Sequence, residues 1–226
     1  YERWENFGLK SWSYEKVLPY FKKIETWSGG ENQYRGSLGP LPVNQSKNDN
    51  PLFKAFINSA SEAGHTVNPD MNGEEQEGFG MFDTTIHEGQ RASATKYYLN
   101  PAKKRKNLNI FSNSFVEKII FEGKKAIGIE VKIKNKVEKV YAEKEVILSG
   151  GSINSPQLLM LSGVGNSDHL REKGIDVVSD IKGVGKNLQD HLETYIMQEC
   201  KTPDSLYTYT KLIPKVLAGI QWFLSK

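Results

Sequence analysis

The sequence predicts a mixed α/β (α+β) fold, and three observations carry that expectation. Apolar residues recur at helical spacing in two stretches of the first 63 residues, and alternating residues between 107 and 148 read as strands. The run Val146-Ile147-Leu148 then leads into Gly150-Gly151 and a short apolar helix. Helices and strands interspersed in this way argue against a pure bundle or a pure sandwich.

In residues 13–24, Tyr14, Val17, Leu18, Tyr20, Phe21 and Ile24 fall at mixed three- and four-residue spacings, a helix with Ser13 at its N-cap. Residues 29–39 read as a loop. Asn50-Pro51 opens a second helix that places Leu52, Phe53, Phe56, Ile57 and Ala60 on one side and is closed by Gly64. Four strands follow over 108–111, 115–121, 126–133 and 139–148, with turns at Glu122-Gly123 and Lys134-Asn135, giving a meander. Beyond the glycine corner, Asp168–Lys173 is expected as a helix ended by Gly174, residues 175–178 as a short strand, and Gly183-Val184-Gly185 as a loop.

The corner is the most informative stretch. Two glycines at a strand's end allow a sharp turn and a close approach to a bound group, while Ser155 can cap, Pro156 open and Gly163 end a helix. Its local chemistry suits a nucleotide or its phosphates lying against backbone amides at a helix N-terminus, and equally an ordinary strand-to-helix turn.

Composition excludes several classes. The 226 residues carry 30 basic and 27 acidic side chains, a net charge of +3 that is no footprint for nucleic acid. The cluster Lys103-Lys104-Arg105-Lys106 is most simply a solvated turn, with a weak patch for anionic lipid headgroups as the alternative. Cys200 is the one cysteine, so no internal disulfide forms and a reducing, cytoplasmic setting fits. No run approaches the roughly 20 apolar residues of a membrane-spanning helix, and no His, Cys or carboxylate grouping has metal-ligand spacing. The chain starts at Tyr1 without a methionine and stops at Lys226 after an apolar helical run, so both ends read as cut.

The stretch Gly150 to Gly165 resembles the second signature of the glucose-methanol-choline (GMC) oxidoreductases, FAD-dependent oxidisers of alcohols. The resemblance runs along the chain through Tyr1 to Lys23, Tyr34-Arg35-Gly36, Gly39-Pro40-Leu41, Asn72-Gly73, Gln76 to Gly80, Arg91-Ala92-Ser93 and Asn187 to His191. Within the family, Gln189-Asp190-His191-Leu192-Glu193, Glu199-Cys200-Lys201, Gly219 to Phe223 and Thr85 to Gly89 resemble its choline-oxidising members. The resemblance implies a partial FAD-binding, Rossmann-like domain with a β-meander, interleaved with an antiparallel-sheet substrate domain. On that plan residues 1–40 and 92–192 are flavin-domain pieces, and 41–91 and 193–226 substrate-domain pieces. It also implies that the first flavin-binding signature and the catalytic base lie outside these 226 residues, so that this piece alone is expected to be inactive.

The resemblance further implies oxidation of choline to betaine aldehyde with FAD as hydride acceptor, electrons passing to a respiratory-chain acceptor other than oxygen, and peripheral association with the inner membrane. Two alternatives stay open: a family member acting on a neutral alcohol, and a non-catalytic flavin-fold scaffold. Gly150 and Gly151 are carried over as FAD-proximal, and Val116 as the residue whose backbone reads the adenine edge, although core packing explains a valine there equally well. His191 is carried over as an active-site neighbour, against a structural histidine bonded by Asp190, whereas His65, His87 and His169 read as surface residues. Glu193 matches the carboxylate that binds the trimethylammonium group, which offers no N–H donor and is recognised by negative charge and aromatic faces. Tyr195, Tyr207, Tyr209 and Trp222 are candidates for such a face, and the tryptophan pair that some choline oxidisers carry is absent near Lys211-Leu212.

Overall fold

Residues 1–46, 50–201 and 204–224 are described by a computed structural model whose elements fall into two units, Tyr1–Leu108 with Met197–Lys226, and Asn109–Ile196. The first begins with α1 (Glu2–Asn6), a 3-10 turn at Lys10–Trp12 and α2 (Tyr14–Ile24). Ser13 stands at the expected N-cap, but its hydroxyl makes no capping bond; its carbonyl accepts the amides of Lys16 and Val17, each at 3.1 Å. α2 runs straight into β1 (Glu25–Trp27), which pairs in parallel with β2 (Leu41–Val43). α3 (Pro51–Glu62) starts as its sequence predicts, Asn50 Oδ1 accepting the Leu52 amide at 2.9 Å with Pro51 in the first turn. β3 (Ile86–His87) and β4 (Gln90–Arg91) form a hairpin whose two turn residues, Glu88 and Gly89, both have positive φ. A π turn at Thr95–Leu99 then leads into α4 (Asn100–Ala102).

The centre of this unit is ionic. Arg35, 3% exposed, donates from Nε to Glu25 Oε1 at 2.9 Å and from Nη2 to Glu25 Oε2 at 3.1 Å. Its Nη1 donates to Asp70 Oδ1 at 2.6 Å and to Asp83 Oδ2 at 2.9 Å. The guanidinium lies 4.4 Å from the centre of the Trp27 ring, and Trp27 Nε1 donates to the same Asp83 oxygen at 3.1 Å. Buried charge of this kind is tolerated only when paired and hydrogen-bonded, and here it is both. Burial by itself would lower the arginine pKa; the hydrogen bonds to Glu25 and Asp83 and the field of Glu25 and Asp70 reverse that and raise it above its ordinary value. Asn68 shapes the same loop, its Nδ2 donating to the Glu75 and Glu77 carbonyls and its Oδ1 accepting the Asp70 amide.

In the second unit the predicted meander is present as three antiparallel strands, β5 (Ser114–Glu122), β6 (Lys125–Ile133) and β7 (Lys136–Tyr141). The β6–β7 turn is Lys134-Asn135 with φ of 46° and 67°, a two-residue type I′ geometry whose twist suits a hairpin. The strand expected over 108–111 is irregular, and β7 ends at Tyr141, so Val146-Ile147-Leu148 is not a strand. Alternation marks a segment able to pair, but neither run has a ladder partner among the described residues, and Phe111 and Ile147 are 74% and 76% exposed.

α5 (Gly151–Leu161) has its N-cap at Gly150, five residues before the expected cap at Ser155, and Pro156 lies inside it. The Ser155 hydroxyl instead accepts the Gly150 amide at 2.9 Å, fastening the corner from within the helix. The helix ends at Gly163, where φ is +87° and an added Cβ would collide with the Asp176 carbonyl, so no other residue fits there. β8 (Val164–Gly165) follows, then α6 (Ser167–Glu172), capped by Asn166 Oδ1 on the His169 amide at 3.0 Å. The strand expected at 175–178 forms slightly later, as β9 (Ser179–Asp180) parallel to β8, because the Val178 and Ser179 amides first turn back to the Gly163 carbonyl.

Ile119, Val131, Val164, Leu170 and Ser162 are the buried centre of this unit. Ser162, 1% exposed, accepts the Ile119 amide at 2.8 Å and donates to the Leu158 carbonyl at 2.6 Å, tying β5 to α5. Ser162→Ala leaves a buried amide unpaired and is expected to cost about 1–3 kcal/mol, measured as a lowered midpoint of chemical denaturation at unchanged slope. The last helix, α7 (Leu212–Leu224), belongs to the first unit and follows a 3-10 turn at Leu206–Thr210.

Candidate functional site

All five site residues expected from the sequence lie in the second unit. Val116 sits on β5 opposite Val131, where the register slips so that Glu117 is left without a partner of its own. Such a bulge interrupts the ladder and re-aims the backbone groups beside it, which is what a backbone contact to a ligand requires. β5 is joined to α5 by the Ser162 bonds, so Val116 and the glycine corner are carried by packed elements.

The two glycines have different reasons to be glycine. A Cβ at Gly150 would press on its own helix, 3.2 Å from both Asn154 Cβ and the Ser155 amide. The Gly150 amide is committed to Ser155, so this residue offers no donor to a ligand. Gly151 has φ of +85° with nothing within 4 Å of an added Cβ, so the space above it is open. The amides of Gly151, Ser152 and Ile153 open the first turn, where a helix provides no internal acceptor, and their partial positive charge suits an anion. Open backbone at Gly151 and first-turn donors are compatible with an anionic group at the start of α5.

His191 and Glu193 occupy the irregular stretch after β9 and are exposed. Asp190 Oδ1 accepts the backbone amide of His191 at 2.8 Å, so the alternative of a histidine bonded by Asp190 is met at the main chain. Glu193 Oε2 accepts the Tyr195 hydroxyl at 2.6 Å. That bond, with a smaller effect of desolvation, holds the phenol pKa above its ordinary value, so Tyr195 remains a donor at and above neutral pH. No hydrogen bond joins His191 or Glu193 to Val116, Gly150 or Gly151 among the described residues. His65, His87 and His169 are exposed as expected. Among the described residues no group of His, Cys, Asp or Glu could hold a metal ion, and no helix is long and apolar enough to cross a membrane.

Residues 1–193 match the GMC oxidoreductase family. The chain belongs to that family. The GMC relatives include the oxygen-dependent choline dehydrogenase of Brucella ovis, 49% identical over the whole of this chain and 41% of its own length. The mitochondrial choline dehydrogenase of Homo sapiens is also 49% identical, over 98% of this chain and 37% of its own length. The chain therefore spans about two fifths of the curated relatives it matches. Among solved GMC-like structures, pyridoxine 4-oxidase from Mesorbium loti superposes with a TM-score of 0.71 at 31% identity, covering 76% of this chain and 34% of its own. An FAD-dependent oxidoreductase from Chaetomium thermophilum gives 0.74 at 30% identity, covering 81% and 34%.

Sequence reasoning missed three features of these units: the carboxylates around Arg35, the unpaired Glu117 and the phenol on Glu193. Only the last had a local signal, because residues two apart share a face of an extended chain.

Proposed function

We propose that the full-length protein to which these residues belong oxidises choline to betaine aldehyde with FAD as its cofactor. The observation that carries the reading is the 49% identity over the full chain to choline dehydrogenases from Brucella ovis and Homo sapiens, against 30–31% to the structural neighbours from Mesorbium loti and Chaetomium thermophilum. FAD, when bound, supplies the hydride acceptor. The chain's own residues bind and orient. The first-turn amides of α5 at Gly151 and the backbone of Val116 at the bulge would help to hold FAD, with Gly150 at the corner beside them. Glu193 supplies the negative charge that draws the trimethylammonium group and fixes which end of choline points away from the flavin. His191, two residues earlier on the same stretch, is an active-site neighbour on this reading. The division into flavin-domain pieces at 1–40 and 92–192 and substrate-domain pieces at 41–91 and 193–226 forms part of this proposal.

Turnover of choline by the purified flavin-loaded full-length protein, compared with its neutral isostere 3,3-dimethylbutanol, tests the reading: a strong preference for choline supports it, and equal or reversed preference points to a neutral alcohol as substrate. Gly151→Val is expected to lower flavin content with the fold retained, because a β-branched residue is strained at φ of +85° and its side chain enters the open space the cofactor requires. Unchanged FAD absorbance per protein in that variant would make the corner structural.

For the electron acceptor we propose a component of a respiratory chain, with the protein peripheral to the inner membrane. The name of the Brucella ovis relative favours oxygen as a second reading. Oxygen uptake measured with and without an added quinone separates the two.

A further inference from the structure

Glu193 needs a partner that fixes its carboxylate without cancelling its charge. A lysine or arginine would neutralise it, and a quaternary ammonium ligand has no N–H with which to displace such a partner. The partner present is neutral: Tyr195 donates its hydroxyl to Glu193 Oε2 at 2.6 Å, and no salt bridge reaches Glu193 among the described residues. Residues two apart share a side of an extended chain, and Glu193 and Tyr195 stand two apart. Tyr195 is 81% exposed, so the faces of its ring are not used up in packing. Of the other aromatic candidates, Trp222 donates to the Gly89 carbonyl at 2.9 Å, and Tyr207 and Tyr209 belong to the 3-10 turn at Leu206–Thr210.

We propose that Tyr195 is a positioning and specificity residue for the substrate's cationic end, its hydroxyl holding the Glu193 carboxylate in one orientation and its ring offering an aromatic face to the same quaternary ammonium group. This rests on the reading of Glu193 as the residue that binds choline. The two parts are separable, since phenylalanine keeps the ring and removes only the hydroxyl, whereas leucine removes both.

The test is steady-state kinetics of the flavin-loaded full-length enzyme carrying Tyr195→Phe, Tyr195→Leu, Glu193→Gln, and Tyr195→Phe combined with Glu193→Gln, with choline and with 3,3-dimethylbutanol. Tyr195→Phe is expected to raise KM for choline roughly threefold to tenfold, the worth of one hydrogen bond, with kcat, flavin content and KM for the neutral alcohol nearly unchanged. Tyr195→Leu should raise it further, and phenylalanine thus partly rescues leucine. Adding Tyr195→Phe to Glu193→Gln should cost much less than it does alone, because the hydroxyl acts through the carboxylate. A choline-selective loss in Glu193→Gln together with unchanged choline KM in both Tyr195 variants overturns the assignment of Tyr195 and leaves that of Glu193 standing. Absence of a choline-selective loss in Glu193→Gln removes the underlying reading, and the proposal with it. Equal losses on both substrates, or loss of flavin, in Tyr195→Phe overturns the proposal in favour of a purely structural tyrosine.

Discussion

Arg35→Met is expected to destabilise the protein by about 3–5 kcal/mol, the cost of stripping a buried charge cluster of one partner. The guanidinium is 4% exposed and Glu25, Asp70 and Asp83 are 17%, 14% and 11% exposed, so water cannot take over when it is removed. Three carboxylates would then face one another around an apolar side chain. The same substitution removes the cation from the Trp27 ring and releases two acidic side chains that organise the loop between α3 and β3. Arg35→Lys should also be costly, because a single ammonium cannot span both Glu25 oxygens while reaching Asp70 and Asp83. Arg171, whose bond to Asp168 joins side chains 66% and 91% exposed, serves as the control: its replacement should move stability very little. Denaturant titration of the three variants decides it, and an Arg35→Met midpoint matching that of wild type would show the cluster to be incidental.

The second large effect is expected at Glu193. Glu193→Gln keeps the shape of the side chain and the possibility of a bond to Tyr195 while removing the charge. A partly desolvated pair between the carboxylate and a trimethylammonium group is worth on the order of 1–4 kcal/mol, between the exposed and the partly buried limits. Each 1.4 kcal/mol is one decade of affinity, so choline binding should weaken roughly tenfold or more. The neutral isostere never felt the charge and should be little affected. Losses of equal size on both substrates would make Glu193 structural, and no loss on either would remove it from the site.

What the sequence made legible was local. The hairpin β6–β7 follows from alternation closed by Lys134-Asn135, and α3 from the Asn50-Pro51 start, because both signals act within a few residues. The start of α5 was misplaced for the same reason. Ser155-Pro156 carries the chemistry of a helix start, yet Ser155 uses its hydroxyl to secure Gly150 from inside the helix. The strand expected at 108–111 and the second half of the one expected at 139–148 failed because alternation specifies a pairing edge and says nothing of its partner. Arg35 was visible only as a letter in a motif. Its partners lie 10, 35 and 48 residues away, and nothing local encodes that meeting. Family motifs nominated Val116, Gly150, Gly151, His191 and Glu193 as candidates, while the different reasons for the two glycines and the phenol on Glu193 needed atomic geometry.

Choline oxidation through a bound flavin is tested most directly by mixing the purified, flavin-loaded full-length protein that contains these residues with choline in the absence of oxygen and of any other acceptor. The account predicts that the visible absorbance of the oxidised flavin bleaches and that one betaine aldehyde forms per flavin reduced, whichever acceptor the protein uses in the cell. A flavin that stays oxidised with choline but bleaches with a neutral primary alcohol would contradict it.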